Sequence, residues 1–184
     1  YAKELGMTVI VTDHHEVPYE VQEDESRQEI LPPADAVVDP KQGGCPYPYK
    51  GICAAVGVYK LMGIYLEKMV REGTVSAGEK DMLLQELLAF AGFATVGDVM
   101  ELTDENRILV RYGLRQIEQS ANLGLRALLT ANELTQKRLT GYHVGFILGP
   151  CLNATGRLDT AARALAMFRT KDQAEAVTIA GELK

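Results

Sequence analysis

Met7-Thr8-Val9-Ile10-Val11-Thr12-Asp13-His14-His15 is the stretch on which the reading of this chain turns. Thr8 to Thr12 is a short, apolar, β-branched run, of the length expected for a strand buried on both faces. It stops in three polar side chains that can each ligate metal. In open α/β sheets, ligands sit beyond the carboxyl ends of the strands. A carboxylate and two imidazoles delivered there can hold a divalent ion and meet a phosphate in one place. The plainer readings are that Asp13 caps a turn or helix and that each histidine is an exposed or satisfied side chain.

Outward from that stretch, Pro18 ends regular structure. Glu20 to Glu29 holds five acids and one Arg without an apolar period, so it reads as an exposed loop, closed by Pro32-Pro33. Ala36 to Val38 is a second short strand, ended by Asp39-Pro40, and the Gly- and Pro-rich run from Lys41 to Lys50 is a loop. A helix is expected from Gly51 to about Arg71, with its apolar stripe at Ala55, Val58, Met62, Tyr65 and Met69. Gly73 ends it. Ser76 or Ala77 opens the next, which runs from about Glu79 to Phe93. That helix is apolar on nearly all sides and therefore expected to be buried. It feeds Ala94 to Val99. Thr103 is the expected N-cap of a helix to about Gln119, with Asp104 and Glu105 in its first turn. Arg107, Arg111 and Arg115 lie four apart and form one stripe, while Ile108, Leu114 and Ile117 are expected to face a core. Gly124 to Thr130 reads as a short helix, and Thr140 to Pro150 takes no clear assignment. Leu158, Ala162, Leu165 and Phe168 mark another helix, and Thr170 with Gln173 reads as the capping box of a last one. The first hundred residues read as α/β and the remainder as helical.

At 184 residues and 47% apolar content, the chain can build a proper core, for one domain or little more. It holds no apolar run of about 18 residues, so no membrane-spanning helix is expected. Its opening at Tyr1, on what reads as the end of a helix, gives the expectation of an internal segment from a longer protein. Cys45, Cys53 and Cys151 lack metal-ligand spacing and are expected to be free thiols, which suits the cytoplasm. The net charge of −6 is divided unevenly: residues 1–105 carry −11 and residues 106–184 carry +5. An acidic half beside a basic half suits a metal site next to a polyanion track, although most such charges are simply solvated.

The metal-competent triplet resembles the signature of the DHH phosphoesterase superfamily, which cleaves phosphoester or phosphoanhydride bonds with paired divalent metals. Ala94-Thr95-Val96-Gly97-Asp98-Val99 resembles that superfamily's later metal motif, with small residues exchanged around Asp98. Taken alone, Asp98 is a turn or cap aspartate. Four further stretches resemble one branch, the RecJ-like single-stranded-DNA-specific exonucleases. They are Val38 to Gln42, Cys45 to Pro48, Asp104 to Leu114 and Leu148 to Leu158. The resemblance runs in order from about Gly6 to Phe168. Cys151 departs from the Arg usual in that branch, which weakens one phosphate contact, and the acidic stretch from Glu20 is longer than expected there.

The resemblance implies a fold class: α/β, the C-terminal part of a parallel-sheet DHH domain over residues 1–104. A mainly helical extension over 105–184 would lead toward a DHH-associated domain. It implies a two-metal site for Mn2+ or Mg2+, incomplete in this segment, because the family's Asp-rich N-terminal motifs are not in the chain. By analogy His14 and Asp98 are metal ligands. Asp13 orients the histidines or lies near the metals, and His15 touches the scissile phosphate or acts as general acid. Arg157, Asn153 and Arg107 are candidate substrate-binding residues. The plainer roles are helix capping for Asn153 and pairing with nearby acids for Arg107. His143 is read as a satisfied or exposed histidine, and Tyr47 and Tyr49 as base-stacking or as packed in their loop. The implied activity is 5′-to-3′ hydrolysis of single-stranded DNA in repair and recombination, with a helicase or single-strand-binding protein as further partners. The segment alone is expected to be inactive and to bind metal no tighter than the high micromolar range. Two alternatives remain. One is another DHH phosphoesterase acting on oligoribonucleotides, cyclic dinucleotides or pyrophosphate. The other is a non-catalytic scaffold of the same fold.

Overall fold

The computed structural model describes residues 1–153 and 158–184, and of residues 158–160 the backbone alone. Two short strands, β1 (Ile10–Thr12) and β4 (Ala36–Val38), pair in parallel with Thr12 opposite Val38. Between them β2 (Tyr19–Val21) and β3 (Arg27–Glu29) form an antiparallel hairpin. Helices α1 (Ala54–Arg71), α2 (Ala77–Gly97), α3 (Asp104–Gln119) and α4 (Leu123–Ala131) follow. A short helix α5 (Gly141–His143) continues through a π turn, Val144–Leu148, into α6 (Gly149–Asn153), and α7 (Leu158–Arg169) and α8 (Gln173–Leu183) close the chain. Among the described residues, no helix is long and apolar enough to cross a membrane. The overall class is mixed, a small parallel sheet with many helices.

Local chemistry sets the boundaries. Gly73, at φ 71°, ends α1 in the left-handed conformation that glycine adopts without strain. The next amides then close the helix, Gly73 N–H onto Val70 O and Thr74 N–H onto Met69 O. Ser76 and Glu79 exchange side-chain and backbone bonds as a capping box that starts α2. Asn122 starts α4 by accepting from Leu125 N–H at 3.1 Å. In the π turn, Gly149 N–H reaches back five residues to Val144 O. Pro150 has no N–H for the preceding turn, and its ring would crowd the Phe146 carbonyl, so the helix widens there.

α2 and α3 pack backbone to backbone at two glycines. A Cβ on Gly113 would lie 2.8 Å from both Gly92 Cα and Leu88 O. One core cluster joins Ala89 and Ile117 to α4, the π turn, α7 and α8 through Leu125, Leu128, Leu148, Met167 and Ala180. A smaller one, Ile52, Cys53, Val56 and Ala91, lies under α1 beside the strands.

Several expectations need correction. β1 is shorter than Thr8–Thr12, and Ile10 is 61% exposed, so the strand is not buried on both faces. The acidic stretch is a hairpin rather than a loop. Its turn closes with Glu25 at φ 64°, and Arg27 lies over the Tyr19 ring at 4.5 Å. α1 starts at Ala54, not Gly51, and buries Val56 and Leu66, while Val58 and Tyr65 are exposed. α1 is apolar on two flanks, and packing on α2 selects only one. α2 runs four residues past Phe93, and its Met82 and Leu83 are exposed. Thr103 is the N-cap of α3 but makes no capping bond, and Ile108 faces outward. α7 buries Ala164 and Met167 and leaves Leu165 exposed. α8 is capped by Asp172 onto Ala174 N–H, not by Thr170, whose hydroxyl turns to Glu175. The three cysteines are free thiols, as expected.

Candidate metal centre

Parallel register decides what stands at the sheet edge. With Thr12 opposite Val38, the next residues, Asp13 and Asp39, emerge side by side at the carboxyl ends of β1 and β4. Asp13 N–H donates to Val38 O at 3.0 Å. Asp39 is buried, and its Oδ1 accepts Lys41 N–H at 2.8 Å.

Asp13 gathers three donors on one oxygen. Oδ1 accepts His14 N–H at 2.7 Å, His15 N–H at 3.3 Å and the His15 ring Nδ1 at 2.6 Å. The His14 amide first, and the His15 ring next, hold the carboxyl down at about 2. Because that carboxylate is ionised, His15 Nδ1 must be the donor, which leaves Nε2 as the presented nitrogen. His15 is well exposed, so that nitrogen faces solvent. The two imidazoles lie 4.5 Å apart, tilted by 31°.

His14 is more enclosed and is held from a third direction. Ala54 N–H, in the first turn of α1, donates to His14 Nδ1 at 3.2 Å. That makes Nδ1 the acceptor and Nε2 the protonated nitrogen of the neutral ring. Nε2 points toward Asp98, 3.9 Å from its Oδ2. Asp98 is the C-cap of α2, so β1 and the end of α2 bring their polar groups to one place. Ligand distances for imidazole and carboxylate are about 2.0–2.2 Å, so two donors at this separation can share one ion. Asp13, His14 and His15 also offer ligand atoms that all lie within 4.8 Å of one another. This donor set of oxygen and imidazole nitrogen fits manganese or magnesium better than a thiolate-seeking metal.

A buried clamp fixes the α1 and α2 ends relative to each other. Asn106, fully buried in the first turn of α3, points its amide nitrogen at Gly51 O (2.7 Å), Glu101 O (2.9 Å) and Tyr49 Oη (3.3 Å). Gly51 lies three residues before Ala54, and Glu101 three residues after Asp98. Beside it, Tyr47 donates to Glu105 at 2.5 Å and Lys60 pairs with the same carboxylate at 2.7 Å. Tyr47 and Tyr49 thus pack and bond within the fold.

The structure brings together Asp13, His14, His15 and Asp98. It does not bring the other candidates to them. Arg107 is exposed on α3 and pairs with no acid among the described residues, contrary to a structural ion pair. Asn153 is exposed at the end of α6. Arg157 lies outside the described residues. His143 is satisfied by Thr140, whose N–H donates to its Nδ1 at 3.0 Å. Sequence reasoning gave no role to Asp39, Ala54 or Asn106. An Asp directly after a second strand was a readable signal for Asp39, whereas the other two contacts depend on tertiary packing.

No family model matches the chain. It is similar over 183 residues to a single-stranded-DNA-specific exonuclease RecJ from Bacillus subtilis, at 38% identity, covering 99% of the chain and 20% of that protein. A RecJ from Haemophilus influenzae is 33% identical over 184 residues, with 100% of the chain and 30% of the relative covered. The structure superposes on crystal structures of RecJ from Thermus thermophilus in complex with Mn2+ and with Mg2+. The TM-scores are 0.66 and 0.64, the identities 31% and 30%, and 98% and 97% of this chain is covered. Those alignments cover 24% and 23% of the Thermus chain, so this chain spans only a fifth to three tenths of the relatives' length.

Proposed function

We propose, from the premise that this chain belongs to the RecJ family over the segment it shares with it, that Asp13, His14, His15 and Asp98 form part of a divalent-metal phosphodiesterase centre acting on single-stranded DNA. Residues 1–104 are then the DHH phosphoesterase part, and residues 105–184 a helical extension of it. The observation that carries the reading is the convergence of His14 Nε2 and Asp98 Oδ2 at 3.9 Å, from the end of a strand and the end of a helix.

In this reading His14 and Asp98 hold Mn2+ or Mg2+. A bound divalent ion supplies an activated water and neutralises charge on the phosphate. Asp13 keeps His15 oriented through its Nδ1–H, so that the exposed Nε2 is directed at the phosphate or, when the ring is the imidazolium and Nε2 also carries a proton, donates that proton to the leaving oxygen. The Asn106 clamp sets the start of α1 against the end of α2, beside His14 and Asp98, and the Ala54 N–H bond to Nδ1 opens when Nε2 gives up its proton to ligate. The wider reading is 5′-to-3′ degradation of single strands in repair and recombination, in the cytoplasm and beside a helicase or single-strand-binding protein.

The test is a chimera in which this chain replaces the matching segment of Bacillus subtilis RecJ. The expected result is manganese-dependent degradation of single-stranded DNA, reduced at least about 100-fold by His14→Ala or Asp98→Ala. A folded chimera that stays fully active with either substitution removes that residue from the metal centre.

A further inference from the structure

The strongest unassigned feature lies on α3, on a face that the metal centre does not use. A groove of about 660 Å³ is lined by Arg107, Arg111, Arg115 and Arg138, with an apolar floor that includes Val110, Leu114 and Leu139. The first three arginines stand one helical turn apart, about 6 Å of rise between neighbours. Arg138 comes from the loop before α5, which brings a fourth guanidinium to the same wall. All four are exposed, and among the described residues none of them pairs with a carboxylate. The one acid in the lining, Glu118, is occupied by Leu139 N–H at 2.5 Å. With Glu118 as the one carboxylate in this lining, and Arg115 over the Tyr112 ring at 5.7 Å, the groove keeps a net positive charge that suits an extended polyanion.

A second observation narrows the polyanion. Thr140 and Gly141 line the groove, and the next residue, Tyr142, is 63% exposed. Its ring stacks on Phe146, which is 73% exposed, at 5.2 Å and 25°. The π turn forced by Pro150 contains Phe146. Tyr142 also meets the His143 ring edge-on at 6.1 Å, and the two stacked rings remain largely open to solvent. A guanidinium row beside exposed aromatic rings is the composition that binds single strands, with phosphates on the cations and a base on the ring.

We propose that the Arg107–Arg111–Arg115–Arg138 groove, continued by the stacked Tyr142–Phe146 pair, is a track for single-stranded nucleic acid. It rests on the function proposed above for the identity of the polyanion, and on the geometry alone for its place.

The experiment measures anisotropy of a labelled oligothymidylate with the 184-residue chain, over a salt series and in chelator, so that the metal centre plays no part. Each phosphate contact contributes about 0.7 to the salt slope of single-strand binding. The Arg107→Gln, Arg111→Gln, Arg115→Gln triple variant should lower the slope by about 2, and Arg138→Gln by about 0.7 more. Tyr142→Ala with Phe146→Ala should weaken binding at least about fivefold with the slope unchanged. Arg126→Gln, an exposed arginine on α4 outside the groove, should change neither. All these side chains are exposed, and circular dichroism confirms that each variant folds. An unchanged slope in the triple variant overturns the track, as does an equal change in Arg126→Gln or an absence of binding by the unaltered chain. Full affinity without the two rings reduces the site to a general polyanion surface and overturns the base-stacking part. Loss of manganese binding with these slopes intact would fault the metal-centre reading and leave the track standing.

Discussion

Replacing Asn106 should cost far more than its size suggests, and the direction of its amide makes the prediction specific. Its nitrogen reaches Gly51 O, Glu101 O and Tyr49 Oη, and its oxygen has no partner among the described residues. Asn106→Ala removes two N–H donors, shared over three acceptors, worth about 1 kcal/mol each. It also leaves a small cavity, and it relieves one orphaned acceptor, worth about 1 kcal/mol in the other direction. The net loss with the cavity is about 1–3 kcal/mol, a large share of the roughly 5–15 kcal/mol by which domains are stable. Asn106→Asp keeps the shape but sets a carboxylate against two carbonyl oxygens in a site that water does not reach. It should therefore destabilise more than alanine does. Urea unfolding followed by circular dichroism gives both values by linear extrapolation. An Asp variant as stable as the original chain would mean that the amide is turned the other way and that Asn106 does not clamp these carbonyls.

Gly113→Ala should push α3 off α2, because its new Cβ would sit 2.8 Å from backbone atoms of Gly92 and Leu88. The overpacking loss of about 1–3 kcal/mol should outweigh the roughly 1 kcal/mol helix-propensity gain, measured as a lower urea midpoint. Ser76→Ala, which dismantles the capping box of α2, should cost about 1 kcal/mol by the same measurement. Nitrogen-15 spectra of the metal-free chain should show His14 as the Nε2–H tautomer, since Ala54 N–H occupies Nδ1. Excess Mg2+ should shift the proton to Nδ1 and so break the Ala54 contact, and a ring that is Nδ1–H without metal would refute that contact.

Much of the architecture was legible because short-range chemistry decides it. α3 runs from Asp104 to Gln119 as its period indicates, and β4 stands at Ala36–Val38 as its short apolar run indicates, although its parallel pairing with β1 was not readable. What escaped has common physical causes. The β2–β3 hairpin carries charge on most positions and turns through Glu25 rather than glycine, so neither alternation nor turn chemistry marks it. Apolar runs do not state what covers them, which is why Ile10, Val58 and Ile108 were placed inward and stand exposed. Within the site, Asp13, His14, His15 and Asp98 were singled out by residue type and by resemblance, and the structure sets them together. The Arg107, Arg111 and Arg115 stripe was readable from its spacing. Arg138 could not be joined to it, because a loop 23 residues further along the chain carries it there. The contact of Ala54 with His14, like the Asn106 clamp, comes from packing among three segments that no local pattern relates.

Paramagnetic broadening by Mn2+ tests, without relying on catalysis, whether His14 and Asp98 hold a divalent ion together. Substoichiometric Mn2+ added to the isotopically labelled chain should selectively broaden the amide signals of residues 13–15, 54 and 97–99, with an affinity no tighter than high micromolar, about −5 to −6 kcal/mol. His14→Ala should abolish that pattern. Broadening centred on the acidic β2–β3 hairpin, or a pattern that survives His14→Ala unchanged, would contradict the account.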